Sequence, residues 1–106
     1  MEWIKIFENV DAANKALTEN QPRLLIVREK RICLVKRNGK ILAVQNNCTH
    51  SGGSLHQGTV NQLGQVVCPV HQYQFNLKTG QEVSQRSSDL ECFVVRESEE
   101  GFFIGL

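Results

Sequence analysis

Short runs of alternating apolar and polar residues follow one another along the chain and predict strands rather than helices. The first two strands are predicted over Trp3–Phe7 and Leu24–Val27. Asn38-Gly39 then separates the runs Ile32–Arg37 and Lys40–Gln45, and this dipeptide is typical of a two-residue hairpin turn. The first half of the chain is therefore predicted to end in a β-hairpin.

The second half of the chain shows the same pattern in shorter pieces. A turn at Asn61–Gly64 interrupts the run Val60–Val67. Tyr73–Leu77 and Glu82–Val83 are predicted to pair around Lys78-Thr79-Gly80, where glycine supplies the positive φ of the turn. The last two predicted strands are Glu91–Arg96 and Phe102–Ile104. Together these segments predict an all-β chain of antiparallel strands.

One short helix is predicted near the N-terminus. Asp11 is a favourable N-cap for a segment over Ala12–Glu19, and Pro22 prevents the helix from continuing. The sequence shows no repeat, low-complexity tract or linker, and 106 residues suffice for one domain with a modest core. We therefore expect a single domain over residues 1–106.

Two segments near the middle of the chain each offer one thiolate and one imidazole. Cys48-Thr49-His50 is followed, after seventeen intervening residues, by Cys68-Pro69-Val70-His71. Both segments follow predicted strands, so they are expected to be loops held at strand ends. A Rieske-type 2Fe-2S centre replaces two of the usual four cysteines with histidines on one iron. The mixed pairs supply that donor set and are the strongest functional signal in the sequence.

The residues around these donors extend the match. CTHSGGSL and CPVHQYQFNLKTG resemble the two ligand loops of the Rieske ferredoxin family, and the resemblance is most specific from Asn47 to Gly80. It implies a Rieske-like antiparallel β sandwich with a cluster-binding subdomain inserted at about residues 46–76. The expected ligands are two thiolates on a buried iron and two imidazoles on an iron that faces outward: Cys48, Cys68, His50 and His71.

Six further residues are predicted to surround the cluster. Gly52 and Gly53 permit tight turns that bring backbone N–H groups toward sulfur, and Pro69 stiffens the second loop. The remaining three are expected to shield the cluster from water: Leu55, Val70 and Tyr73. The alternative for all six is an ordinary role in loop turns and packing.

Four positions favour a reduction potential toward the low end of the Rieske window, which runs from about −150 to +300 mV. High-potential members of the family carry an extra cysteine in each loop, and this chain has Gly53 and Val70 there. It has Tyr73 and Phe75 where that family places a serine and a tyrosine near the cluster. Fewer hydrogen bonds to sulfur lower the potential, because such bonds favour the reduced state.

Charge and hydropathy exclude several classes of partner. Twelve basic and eleven acidic residues are scattered along the chain and give a net charge of +1, so no basic stripe indicates nucleic acid or anionic lipid. No apolar run approaches the roughly eighteen residues of a membrane helix, and Met1–Lys5 lacks a basic signal region. We expect a cytoplasmic chain that binds other proteins.

Two cysteines and one histidine remain outside the expected ligand set. Cys33 and Cys92 lie in apolar strand segments, and each is predicted to be a small buried hydrophobic residue rather than half of a disulfide. His56 lies between the two loops and is predicted to be exposed, since the cluster is already fully ligated.

The resemblance implies a monomeric electron carrier between a flavoprotein reductase and a terminal oxygenase. The chain is not expected to be an enzyme, because only one of its three histidines remains for the two-His, one-carboxylate iron of an oxygenase. One alternative is the small subunit of an assimilatory nitrite reductase, which shares this architecture. Another is a zinc-stabilised interaction module, since two cysteines and two histidines also satisfy one tetrahedral ion.

Overall fold

A computed structural model describes residues 1–106 as ten strands and one short α-helix. The helix α1 spans Val10–Ala16, and a single turn of 3-10 helix spans Leu55–Gln57. In chain order the strands are β1 Trp3–Phe7, β2 Arg23–Val27, β3 Lys30–Arg37, β4 Lys40–Gln45, β5 Thr59–Val60, β6 Gln65–Val67, β7 Gln74–Asn76, β8 Cys92–Phe93, β9 Val95–Ser98 and β10 Gly101–Gly105.

The strands form three antiparallel sheets. The first has the order β1-β10-β9, the second β2-β3-β4-β8 and the third β5-β6-β7. Strands β4 and β8 are neighbours in the second sheet, yet the whole third sheet lies between them in sequence. The third sheet is therefore an insertion into the second, and the predicted antiparallel β architecture is confirmed.

The hairpin predicted between β3 and β4 is present. Arg37 pairs with Lys40, and the two residues between them, Asn38 and Gly39, have φ values of 53° and 76°. Two successive residues in the left-handed region define a turn whose twist matches that of the paired strands. The Asn-Gly signal thus fixes the register of the longest pair of strands.

The helix is shorter than predicted and begins at a different cap. The side chain of Asn9, not that of Asp11, accepts the backbone N–H of Ala12 at 2.8 Å. Asp11 lies in the first turn, where its charge favours the helix dipole. The helix ends at Ala16 because the next residues turn toward β3, where Glu19 forms an isolated bridge with Lys36.

Two predicted strands were wrong in their extent. Glu82–Val83 is not a strand, and only a single bridge joins Phe75 to Glu82. The predicted strand Glu91–Arg96 is divided at Val94, because β8 pairs in the second sheet and β9 in the first. Alternation alone does not show where a chain passes from one sheet to another.

The core consists of two apolar clusters separated by β3. Ile32 and Leu34 face a cluster with Leu17 of the helix region, whereas Cys33 and Val35 face the opposite side. The second cluster continues into the insertion through Leu55, Val66, Phe75 and both loop cysteines, Cys48 and Cys68. The thiols of the two loops are therefore anchored at the end of a packed core.

The two cysteines outside the loops differ in environment. Cys33 is fully buried, as predicted, and burial raises the pKa of its thiol to about 12. Cys92 is exposed, so the prediction of burial was wrong; it lies on β8, the short edge strand of the second sheet. Strand β4 lies between the strands that carry the two thiols, which keeps them apart.

The single α-helix of seven residues is neither long nor apolar enough to cross a membrane.

Candidate metal centre

The two loops with mixed donors lie at the strand ends where the sequence places them. Cys48 follows β4 by three residues, and Cys68 comes directly after β6. Both cysteines are buried, with relative exposures of 3% and 0%, whereas His50 and His71 are exposed. The thiols point into the protein, and the imidazoles lie at its surface.

Like donors meet across the two loops. The Nε2 atom of His50 lies 3.1 Å from Nδ1 of His71, and the two rings are inclined by 49°. On the buried side Cys48 and Cys68 belong to the same apolar cluster, and the Cys48 thiol raises the pKa of the Cys68 thiol. The four donors are thus two separate pairs, one of sulfur and one of nitrogen.

This pairing fits a Rieske-type 2Fe-2S cluster, in which one iron takes two thiolates and the other two imidazoles. Four ligands around one tetrahedral zinc ion must instead surround a common point. No group of three or more His, Cys, Asp and Glu side chains is arranged to hold one metal ion. The donor set and its division into a sulfur pair and a nitrogen pair match the two irons of the cluster.

Backbone hydrogen bonds close both loops tightly. In the first loop the N–H of Cys48 donates to the carbonyl of Gly53, and the N–H of Gly52 donates to the carbonyl of Cys48, both at 2.8 Å. In the second loop the N–H of Cys68 donates to the carbonyl of Tyr73 at 2.8 Å. His71 has a φ of 61°, a left-handed conformation that this short closure maintains.

Gly53 is a point of close approach between the two loops. A Cβ atom at this position would lie 3.1 Å from the sulfur of Cys68 and 3.2 Å from a methyl group of Val70. Its own N–H donates to the hydroxyl of Ser51 at 3.3 Å rather than to a cysteine. The absence of a side chain at Gly53 is what allows the loops to pack together.

The other predicted neighbours differ in how they meet the site. Leu55 is fully buried in the same cluster as the two thiols, whereas Pro69 is exposed at the surface. Val70 is 40% exposed, and one of its methyl groups lies close to Gly53. Tyr73 is half-buried, and its ring stacks on His50 with 3.8 Å between the ring centroids.

The sulfur of Cys68 receives two hydrogen bonds that favour its thiolate. Burial raises the pKa of Cys68 above its ordinary value, and the nearby Cys48 thiol acts in the same direction. A backbone hydrogen bond from Val70 and one from the Ser51 hydroxyl, at 3.9 Å, oppose that increase. Ser51 was not among the predicted site residues, although its position beside His50 in the first loop was a usable signal.

A third segment, residues 82–88, also packs against both loops and was missed by the sequence analysis. The guanidinium of Arg86 lies over the ring of Tyr73, and Thr49 shares a hydrogen bond of 2.7 Å with Ser87. The Thr49 hydroxyl also donates to the carbonyl of Ser88 at 2.6 Å. The sequence predicted only that Glu82–Val83 pairs with Tyr73–Leu77, and nothing in it indicates the contacts of Arg86 and Ser87 with the loops.

His56 supports the stem of the first loop and is only half-buried rather than exposed, so that prediction was wrong. The side chain of Asn46, fully buried, accepts the backbone N–H of His56 at 2.9 Å. The amide nitrogen of Asn46 lies 3.0 Å from Nδ1 of the same histidine. His56 is less exposed than predicted because the buried side-chain amide of Asn46 needs hydrogen-bond partners.

A comparison with protein families decides which family has these loops. Residues 7–94 match the family described as the Rieske [2Fe-2S] domain. The chain belongs to this family. The match confirms both the family and the type of cluster that the two loops predict.

One known ferredoxin component is similar to this chain over part of its length. The ferredoxin component of the alkene monooxygenase system of Xanthobacter autotrophicus is 30% identical over 70 residues, which are 66% of this chain and 57% of that protein. The chain thus matches little more than half the length of that relative.

Two solved structures share the fold over nearly the whole chain. The ferredoxin of carbazole 1,9a-dioxygenase from Nocardioides aromaticivorans superposes with a TM-score of 0.84 at 17% identity, covering 99% of this chain and 98% of that one. A nitrite reductase small subunit from Mycobacterium tuberculosis gives 0.79 at 19% identity, covering 97% and 92%. These similarities confirm the predicted Rieske-like antiparallel β sandwich.

Proposed function

We propose that this Rieske chain is a ferredoxin that carries single electrons from a flavoprotein reductase to a terminal oxygenase. One 2Fe-2S cluster is held by two thiolates and two imidazoles: Cys48, Cys68, His50 and His71. The chain is one domain, and residues 46–76 form its cluster-binding subdomain.

The observation that carries this proposal is the arrangement of the two donor pairs. The thiols of Cys48 and Cys68 are anchored in the core, whereas the imidazoles of His50 and His71 are exposed side by side. A partner that docks over the imidazoles would lie close to the iron that these two residues would hold. Such an arrangement suits a protein that exchanges electrons through contact and has no substrate of its own.

When bound, the cluster supplies a centre that takes up and releases one electron. Neutral imidazoles in place of two thiolates remove negative charge and raise the potential above that of plant-type ferredoxins. The chain adds a hydroxyl and an N–H that donate to the sulfur of Cys68, from Ser51 and Val70. Phe75 is a fully buried hydrocarbon side chain and offers no such donor.

We infer a potential toward the low end of the Rieske window, because no cysteine pair cross-links the loops and Tyr73 contacts a ligand with its ring. A redox titration checks this inference directly. A value well above zero would contradict it.

The proposed partners are proteins, and the relative from an alkene monooxygenase system supports an oxygenase pathway. A monomer is expected, since a carrier must dock and leave through a small interface. We also propose that it works in the cytoplasm as a carrier rather than an enzyme. Sedimentation analysis and cell fractionation test these two points.

The cluster is tested on anaerobically purified protein by visible absorption and by electron paramagnetic resonance after reduction with dithionite. We expect a red-brown protein with the rhombic signal of a mixed His/Cys 2Fe-2S centre. Cys48→Ser and His71→Ala are expected to lose that signal, whereas the matched variants Cys92→Ser and His56→Ala retain it. A colourless protein with stoichiometric zinc overturns the proposal in favour of a zinc module.

The pathway is tested by rapid mixing of the reduced protein with candidate acceptors. Fast, saturable oxidation by the terminal component of an oxygenase system supports the proposed partner. Oxidation by a sirohaem nitrite reductase alone overturns the oxygenase pathway and favours the small-subunit role.

A further inference from the structure

Three side chains, those of His50, Tyr73 and Arg86, stack in one column, with the imidazole of His50 at one end. The ring of His50 lies parallel to the ring of Tyr73, with 3.8 Å between their centroids and 4° between their planes. The guanidinium carbon of Arg86 lies 3.8 Å from the centroid of the same Tyr73 ring. Two groups cannot share one face of a ring at that spacing, so His50 and Arg86 lie on opposite faces of Tyr73.

Glu82 holds Arg86, at the other end of this His50–Tyr73–Arg86 column, in place. Its side chain is fully buried, and its carboxylate accepts hydrogen bonds of 3.1 Å from both Nε and Nη2 of Arg86. The same carboxylate accepts the backbone N–H groups of Arg86, at 2.8 Å, and Ser84, at 3.2 Å. Two-point bonding to a buried carboxylate leaves the guanidinium little freedom to rotate.

We propose that Arg86 is a positioning residue for the ligand His50 and acts on it through the ring of Tyr73. The clamped guanidinium holds the phenol ring by a cation–π contact, and the phenol ring holds the plane of the imidazole by stacking. Arg86 also balances the buried carboxylate of Glu82, so its removal leaves an unpaired negative charge near the site, which disfavours the reduced cluster because reduction adds negative charge. The inference rests on the ligands proposed above.

Arg86 lies outside both loops, so it can be substituted without changing the proposed ligands. It lies fifteen residues beyond His71, on the third segment, and its side chain is 47% exposed. A substitution there changes no proposed ligand and neither of the two loops. Effects on the cluster then travel through Tyr73, through the electric field, or through the bonds of Ser87 and Ser88 to Thr49, and the double variant described below separates the first route from the others.

The chain offers a matched control for the loss of a stacked arginine. The guanidinium carbon of Arg96 lies 4.3 Å from the ring of Trp3, so it makes the same type of contact. Arg96 belongs to β9 of the first sheet, whereas the loops belong to the insertion in the second. Arg96→Gln therefore removes the same charge and a similar stack at a different place.

The experiment compares Arg86→Gln, Arg86→Lys and Arg96→Gln holoproteins by redox titration at neutral pH and by pulsed electron paramagnetic resonance of the ligand nitrogens. Arg86→Gln is expected to lower the potential and to change the coupling of one imidazole nitrogen. Arg86→Lys keeps the charge but not the planar stack, so it should change the coupling with a smaller effect on potential. Arg96→Gln should change neither quantity.

The role of Tyr73 is tested in the same assay. Tyr73→Phe keeps the ring and is expected to resemble the wild type, whereas Tyr73→Leu should change the nitrogen coupling. Adding Arg86→Gln to Tyr73→Leu should change the coupling no further, because the column is already interrupted. A further change in the double variant would overturn the proposed path through Tyr73.

Two other outcomes also overturn the proposal. One is an Arg86→Gln protein that matches the wild type in both measurements. The other is a lower potential with unchanged nitrogen couplings, which reduces Arg86 to a nearby surface charge. If Arg86→Gln does not fold, an unchanged nitrogen coupling in Tyr73→Leu overturns the proposal. A wrong ligand assignment is distinguished at once, since the wild type itself then lacks the Rieske signal.

Discussion

The hydroxyl oxygen of Ser51 lies 3.9 Å from the sulfur of Cys68, although the two residues belong to different loops. The contact is possible because Gly53 has no side chain to separate the loops. The proposed thiolate of Cys68 is thus influenced by the opposite loop as well as by its own. The potential of the cluster is expected to depend on how closely the loops approach.

Ser51→Ala is predicted to lower the reduction potential. A hydrogen bond to a ligand sulfur stabilises the reduced state, and a net contribution of about 0.5–1.5 kcal/mol corresponds to about 20–60 mV for one electron. Redox titration of the holoprotein measures the shift. Ser54→Ala is the matched control, because the Ser54 side chain makes no capping bond at the 3-10 turn. Equal potentials in both variants and the wild type would mean that the Ser51 hydroxyl has no influence.

Gly53→Ala is predicted to weaken retention of the cluster. The added methyl group would meet the Cys68 sulfur at 3.1 Å, and relieving such overpacking typically costs about 1–3 kcal/mol. Iron content after purification and after a dilution series measures retention. In the control Gly105→Ala, in the first sheet, the new methyl group meets the flexible, 82% exposed Met1, which can move aside, and the ring of Trp3 at 3.2 Å. A Gly53→Ala protein that keeps its iron as well as this control contradicts the proposed close packing.

The donor pairs were predictable from the sequence, because a short loop forces its Cys and His to share one end of a strand. The Asn38-Gly39 turn was predictable for a similar reason, since two left-handed residues in succession strongly restrict the local backbone. Both features depend only on residues that are close in the chain. Local rules therefore predicted the position of the two donor loops at strand ends and the main hairpin.

Contacts between distant segments were not predictable in this way. Arg86 reaches Tyr73 only because Glu82 is buried beside it, and no periodicity or spacing encodes that burial. The division of the predicted strand at Val94 likewise depends on which sheet each half joins. The helix cap was misplaced for a simpler reason, since Asn9 and Asp11 are both favourable caps and only the backbone decides between them.

The stability of the protein is predicted to fall in acid partly through Glu82. Hydrogen bonds from Arg86 lower the pKa of Glu82 from 4.5 to about 2 in the folded protein. A carboxyl group with a lowered pKa stabilises the fold above its unfolded pKa, and this contribution is lost as the pH falls through the folded value. Glu82 should therefore stabilise the protein fully above about pH 4.5 and progressively less toward pH 2.

Glu82→Gln provides the reference for this acid dependence, because glutamine does not titrate. Denaturant unfolding followed by circular dichroism should show the wild type more stable than the variant at pH 7, with the difference shrinking below about pH 4.5. A difference that stays constant over this range would show that Glu82 does not titrate as proposed.

Asn46→Ala is predicted to destabilise the stem of the first loop. The fully buried Asn46 side chain hydrogen-bonds both the backbone N–H and the ring of His56. Its loss leaves these two groups without partners, and each unsatisfied buried group lowers the free energy of unfolding by about 1–3 kcal/mol. His56→Ala removes only the ring contact and should cost less, and Asn47→Ala, at an exposed neighbouring position, should cost little. Denaturant unfolding of the holoproteins gives the order. Because Asn46 touches the stem rather than the sulfurs, the folded Asn46→Ala protein should keep the wild-type potential, and a shifted potential would place its effect at the cluster instead.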